Sequence, residues 1–219
     1  MIQLSGIRKT FRTKETTNIV LDNLSLNIKE GESISIMGKS GSGKTTLLNI
    51  LGGLCKVDQG TYFYRGVEMD VNNWNQMANF RRNNIGIVTQ NFALVDYLTV
   101  YENIIFPLKL YRERKSILKK RALEVMQQME ISEKKDYYLD ELSRGQQQKV
   151  AIARAIIKNP KIILADEPTG ALDENTGQAI LDIFLSLNNQ GKTVVIVTHD
   201  MDIAKQCKRK LCLEKGKLI

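Results

Sequence analysis

Apolar and polar positions follow two rhythms along the chain. Residues 2–11 alternate loosely, and residues 20–28 set Leu21, Leu24, Leu26 and Ile28 against Asp22, Ser25 and Asn27. Period-two alternation predicts strands with one buried face. Residues 12–18 are polar and read as a loop. Stretches 33–37, 85–88, 162–165 and 193–198 are mostly or wholly apolar, the pattern of strands buried within a sheet. Stretches 61–64 and 67–69 are short strands around Arg65-Gly66, and 209–214 is a last strand before Gly216 and a short tail. With the two N-terminal strands, 61–64 and 67–69 predict a largely antiparallel sheet.

Helical spacing interrupts this pattern. Positions 47, 48, 51 and 54 share one face of a helix over 44–54. Residues 73–82 form a helix of imperfect periodicity, and 100–110 is mostly helical with Pro107 a kink or boundary. An amphipathic helix over 113–129 uses Ile117, Leu118, Ala122, Val125 and Met129. A charged connection at 132–138 precedes a helix over 146–158. Helices over 174–187 and 201–206 separate the last strands. Alternating strands and helices give an α/β fold with layered architecture. Residues 91–158 read as a helical subdomain inserted into a core and β subdomain made by 1–90 and 159–219.

The chemistry centres on Gly38-Lys39-Ser40-Gly41-Ser42-Gly43-Lys44-Thr45, between the strand 33–37 and the helix 44–54. These residues fit G-x-x-x-x-G-K-[ST], a phosphate-binding loop. Its glycines let backbone N–H groups turn inward, and the helix N-terminus points at the same spot. Lys44 brings a cation to the β and γ phosphates, the Thr45 hydroxyl suits Mg2+, and Thr46 lies in the first helical turn. A plain surface turn is the alternative; the flanking strand and helix speak for a nucleoside triphosphate.

Five other places carry candidate chemistry. Asp166-Glu167 follows the apolar strand 162–165, so Asp166 suits the metal and Glu167 suits a general base for the attacking water. Gln90 ends the strand 85–88, within reach of metal or water. His199, the single histidine, ends the strand 193–198, where its imidazole can bond the γ phosphate or a backbone carbonyl. Leu142-Ser143-Arg144-Gly145-Gln146 opens a helix, and from the residues alone Ser143 is a cap. Gly170-Ala171-Leu172-Asp173 reads alone as a turn.

Bulk composition narrows the partners. At 219 residues, one domain or a domain with a subdomain is expected. No 18-residue apolar window predicts a membrane span, and residues 1–12 lack the apolar core of a signal peptide. Cys55, Cys207 and Cys212 lack metal-ligand spacing and fit a reducing compartment. The net charge of +8 is spread out with no interleaved aromatic residues, so nucleic acid is not expected as a partner.

Taken in order, the loop 38–45, Gln90, 142–146, Asp166-Glu167, 170–173 and His199 resemble the nucleotide-binding subunit of ATP-binding-cassette (ABC) transporters. The resemblance spans nearly the whole chain. It implies a P-loop NTPase fold of that type, with an antiparallel β subdomain and an inserted helical subdomain. It implies an ATPase with ATP and Mg2+ as cofactors, and metal contacts from Thr45, Gln90 and Asp166. Phe11 stands where the family often stacks an aromatic ring on adenine. The resemblance further implies a head-to-tail homodimer with ATP between the 38–45 loop of one subunit and Ser143, Gly145 and Gln146 of the other, with Asp173 at the subunit contact.

Two departures stand out: Arg144 replaces an expected glycine, and Lys149 replaces a more usual arginine. ATPase activity is expected to survive both. Residues 90–94 and 98–104 look like the ATPases serving macrolide, lipoprotein-release, antimicrobial-peptide and bacteriocin exporters. Such a subunit is peripheral on the cytoplasmic membrane face and drives a separate permease, which the apolar residues Phe92, Leu94, Val95, Tyr97, Leu98 and Tyr101 are placed to meet. A small-molecule kinase would not need the 142–146 signature. A soluble cassette acting on DNA or ribosomes usually has two cassettes or a long coiled coil. An ATP-driven regulatory switch on a membrane protein is the alternative that shares every residue.

Overall fold

A computed structural model describes residues 1–12, 15–109 and 114–219. Six strands form one sheet in the order β10-β9-β3-β8-β7-β6. They are β3 (Ser33–Met37), β6 (Ile85–Val88), β7 (Ile162–Asp166), β8 (Thr193–Thr198), β9 (Arg209–Glu214) and β10 (Lys217–Leu218). The first five run parallel, and β10 folds back antiparallel on β9. The other sheet is antiparallel, in the order β2-β1-β4-β5. Its strands are β1 (Ile2–Arg12), β2 (Thr17–Ile28), β4 (Gln59–Tyr64) and β5 (Val67–Met69).

The central strands are apolar on both faces because a core lies on each side. Ile162, Leu164, Val195 and Val197 face one core, and Ile163, Ala165, Val194 and Ile196 face the other. The first core lies between the sheets. It takes Ile2, Leu4, Leu24, Leu26 and Tyr62 from the antiparallel sheet and Leu47, Leu48 and Leu51 from α1 (Lys44–Leu51). α2 (Trp74–Asn84) adds Met77 and Phe80.

The second core joins the inserted helices to the sheet. Those helices are α3 (Val100–Ile105), α4 (Lys115–Gln128) and α5 (Arg144–Ile156). They pack with α6 (Glu174–Asn189), and the short α7 (Met201–Gln206) completes the set. Val100, Ile104, Met126, Val150, Ile152, Ile180 and Phe184 fill this core.

Several predicted boundaries shift for local reasons. β2 begins at Thr17 rather than 20, because Phe11 pairs with Asn18 and Arg12 with Thr17 across the hairpin. Of the predicted loop over 12–18, Arg12, Thr17 and Asn18 are therefore strand, Glu15 and Thr16 connect them outside the strands, and residues 13 and 14 lie outside the described residues. α1 stops at Leu51 rather than 54, because Gly53 turns left-handed with φ +64°. α5 starts at Arg144 rather than 146, directly on its Ser143 cap. α3 stops at Ile105, and a 3-10 turn over Phe106–Leu108 absorbs Pro107. The predicted helix end at Leu110 and helix start at Glu113 lie outside the described residues. The tail after Gly216 is strand β10. Among the described residues, no helix is long and apolar enough to cross a membrane.

Candidate functional site

The site lies at the carboxyl ends of the parallel strands, where α/β sheets bind ligands. β3 leads into the glycine loop, β6 into Gln90, β7 ends at Asp166 and β8 leads into His199. Register brings them together: Met37 pairs with Thr198, and Asp166 pairs with Val197. A cavity of about 780 Å³ is lined by Phe11, Ser40, Gly41, Gly43, Lys44, Thr45, Thr46, Gln90, Asp166, Glu167 and His199, with Asn18 and Val20.

The glycine loop is shaped by its backbone. Gly43 has φ +104°, and a Cβ there would lie 2.9 Å from the Val20 carbonyl oxygen. A side chain is excluded by conformation and by space. This close approach of β2 explains why Val20 and Asn18 line the cavity. The sequence reading missed both, because the packing of β2 against Gly43, more than twenty residues further along the chain, is what places them there.

Lys44 is buried, and its ammonium donates to the carbonyls of Gly38 at 2.7 Å and Lys39 at 3.2 Å. Gly38, Lys39 and Ser42 do not line the cavity but build the loop behind it. Among the described residues the buried Ser42 hydroxyl has no hydrogen-bond partner.

The carboxylates sit beside this ammonium. Glu167 Oε1 is 4.0 Å from Lys44 Nζ, and its Oε2 is 2.9 Å from His199 Nδ1. Glu167 is largely shielded while His199 is mostly exposed. The Thr45 hydroxyl donates to Asp166 Oδ1 at 3.3 Å. Burial pushes the Asp166 carboxyl above its ordinary pKa, the Thr45 bond opposes this, and the neighbouring Glu167 charge adds to it. A desolvated carboxylate touching a threonine hydroxyl suits a hard cation. Among the described residues, no three His, Cys, Asp or Glu side chains converge as a metal site. A cation here would need oxygens from the nucleotide as well.

Ser143, Gly145 and Gln146 do not line this cavity. Ser143 caps α5 by accepting from Gln146 N at 3.3 Å, and Gln146 Oε1 accepts from Ser143 N at 2.9 Å. This reciprocal box satisfies two amides at the helix start. Gly145 leaves room for Thr176, whose Cγ2 would lie 2.5 Å from an added Cβ. Thr176 in turn bonds Asp173, the cap of α6. Arg144 is exposed. Two internal contacts of α5 carried no sequence signal: Gln148 donates to Pro168 O at 2.8 Å, and Arg154 donates to two carbonyls just after Gln90.

A glycine loop, a carboxylate pair, a glutamine and a histidine on adjacent parallel strand ends define a P-loop nucleoside triphosphatase. The ABC transporter family model matches residues 21–170. An ABC transporter ATP-binding protein of Methanocaldococcus jannaschii, MJ0796, is 44% identical over this whole chain and 95% of its own length. Its solved dimeric structure, a post-hydrolysis state bound to ADP and Pi, matches with a TM-score of 0.92 over 100% of this chain and 96% of that one. The methionine import protein MetN of Francisella tularensis and the macrolide export protein MacB of Shigella flexneri are each 40% identical. This chain spans 63% of the former and 34% of the latter. The chain belongs to the ABC transporter family.

Proposed function

We propose that this chain is the ATP-binding and ATP-hydrolysing subunit of a membrane transporter whose permease is a separate chain. It is an ATPase of the cassette type, and the observation that carries the reading is the single cavity that gathers Lys44, Thr45, Gln90, Asp166, Glu167 and His199. Lys44 meets the β and γ phosphates, giving up its bonds to Gly38 and Lys39. The loop from Gly38 to Gly43 cradles the phosphates through its amides, and Thr46 borders them. Phe11, half exposed at the cavity rim, offers its ring to adenine.

Thr45, Asp166 and Gln90 are the residues that would hold Mg2+, which neutralises phosphate charge when bound. Glu167 accepts a proton from the attacking water as its general base. His199 holds the Glu167 carboxylate at 2.9 Å and stands near the γ-phosphate position. Ser143, Gly145 and Gln146 lie off this cavity, so they serve a second copy of the chain. The dimeric state of MJ0796 supports the pairing of two copies, and the head-to-tail arrangement is what this reading adds.

The same reading makes residues 1–219 one nucleotide-binding domain, peripheral on the cytoplasmic membrane face. The permease meets residues 90–110. Tyr97 is 80% exposed there, whereas Leu94 and Tyr101 pack on the helical core. Beside it is a cavity of about 800 Å³ whose lining includes Phe92, Leu94, Asp96, Asp136, Asp140 and Glu141. Four carboxylates in a chain of net charge +8 favour a cationic permease segment.

Export of a peptide, lipoprotein, bacteriocin or drug is the direction read from residues 90–104. Import and export relatives are equally identical to this chain, so the permease decides the direction. Mild detergent extraction of the tagged chain from its own cells tests the assignment. A stoichiometric multi-span companion is expected. Recovery with ribosomes or nucleic acid and no membrane companion would overturn it. A companion whose loss abolishes no transport would favour the regulatory switch.

A further inference from the structure

Arg154 lies near the far end of α5 from Ser143, and much of it is withdrawn from water. Among the described residues its guanidinium makes no ion pair. It donates instead from Nη1 to the Ala93 carbonyl at 2.5 Å and from Nη2 to the Phe92 carbonyl at 2.7 Å. Burial pulls its pKa below the ordinary guanidinium value. A shielded cation without a carboxylate is costly unless its donors are used where they matter.

Both acceptors belong to an unusual turn. Phe92 and Ala93 are consecutive non-glycine residues in the left-handed region, with φ of 57° and 51°. Such residues persist only where their surroundings hold them. The turn is closed by Phe92 N donating to Thr89 O at 3.0 Å, so it pivots on Gln90. Gln90 points back into the nucleotide cavity, its Nε2 3.8 Å from where a Cβ on Gly170 would lie. α5 is fastened on its other side to the catalytic loop: Gln148, fully buried, donates to the Pro168 carbonyl one residue past Glu167.

We propose that Arg154 is a positioning residue that fixes the Gln90 turn to α5, the helix that also carries Ser143 and anchors the loop of Glu167. Gln90 and Glu167 are thereby referred to one rigid body. When a second copy and its ATP engage Ser143, displacement of α5 reaches the Gln90 turn through two charge-assisted hydrogen bonds. Lysine does not replace this fork, since one ammonium cannot span both carbonyls in the same plane. The proposal rests on the ATPase reading for its effect on turnover, and on geometry alone for the turn.

The test compares the full chain with its Arg154→Met and Arg154→Lys variants by amide hydrogen exchange and steady-state ATPase kinetics. In Arg154→Met, exchange at residues 92–95 is expected to rise about tenfold or more while α5 keeps its protection, because two strong bonds are lost locally. Turnover, kcat, is expected to fall about tenfold with KM for ATP changed by no more than about twofold, since the phosphate loop is untouched. Arg154→Lys should fall between, and it carries the test if the methionine variant does not fold. Parental exchange at 92–95 in a folded variant would overturn the proposal. So would exchange raised equally along α5, which marks a merely structural residue. A parent chain without ATPase activity would sink the functional reading while the exchange result still decides the clamp.

Discussion

Glu167 has a left-handed backbone, φ 45°, between an apolar strand and the Pro168 turn. Strain of this kind is kept where a side chain must be aimed. It points the carboxylate between Lys44 and His199, so Glu167→Gln should retain ATP binding and lose turnover by about 100-fold or more. Equilibrium ATP binding beside phosphate release checks this, and near-parental turnover would remove Glu167 from the base role.

Asp166 gives a pH prediction. Its folded pKa is raised, so the ionised carboxyl destabilises the nucleotide-free chain above that pKa, and the penalty fades as pH falls through it. Asp166→Asn should therefore raise the melting temperature at neutral pH, with partial exposure limiting the gain. The difference should shrink on acidification, and Mg2+-dependent turnover should fall by about 100-fold. At this scale the strand-end residues were legible, because an apolar run that stops at a polar residue is a local signal. Asn18, Val20, Gln148 and Arg154 were not, since contacts distant in sequence give them their place.

Among the elements, the connection from β6 to α3 shows how a polar residue can build a core. Asn103 is fully buried on α3. Its amide donates to the carbonyls of Val95, Leu98 and Thr99 at 3.1 Å each, and its oxygen accepts from Val95 N at 2.8 Å. The helix start is closed by a capping box between Thr99 and Glu102. Asn103→Leu would strand buried backbone groups of the connection and should cost about 2–3 kcal/mol, read by urea unfolding. An unchanged midpoint would show that the connection does not depend on this amide.

Most strands and helices were visible as periodicity, above all the central strands, whose two cores demand apolar residues on both faces. Element ends were less visible. β2 was extended by its hairpin partner, and two-residue β10 exists only because β9 offers it an edge.

For the whole molecule, the main result is how the expected site residues divide between places. One copy gathers the phosphate loop, carboxylates, glutamine and histidine, while Ser143 and its helix lie off that cavity. The antiparallel sheet contributes Phe11, Asn18 and Val20 to one wall, which ties the nucleotide site to both sheets. Periodicity and motif order made the layered fold legible. They did not reveal the acidic groove beside Tyr97, because Asp96 and residues 136–141 meet only when the inserted helices pack.

The central claim is that ATP completes this site by pairing two copies head to tail. It is tested most directly by sedimentation velocity of the purified Glu167→Gln chain with Mg2+, without nucleotide, with ADP and with ATP. Blocked hydrolysis should let ATP alone convert monomer to dimer, and a further Ser143→Arg change should abolish the shift. A chain that stays monomeric at saturating ATP would contradict the account.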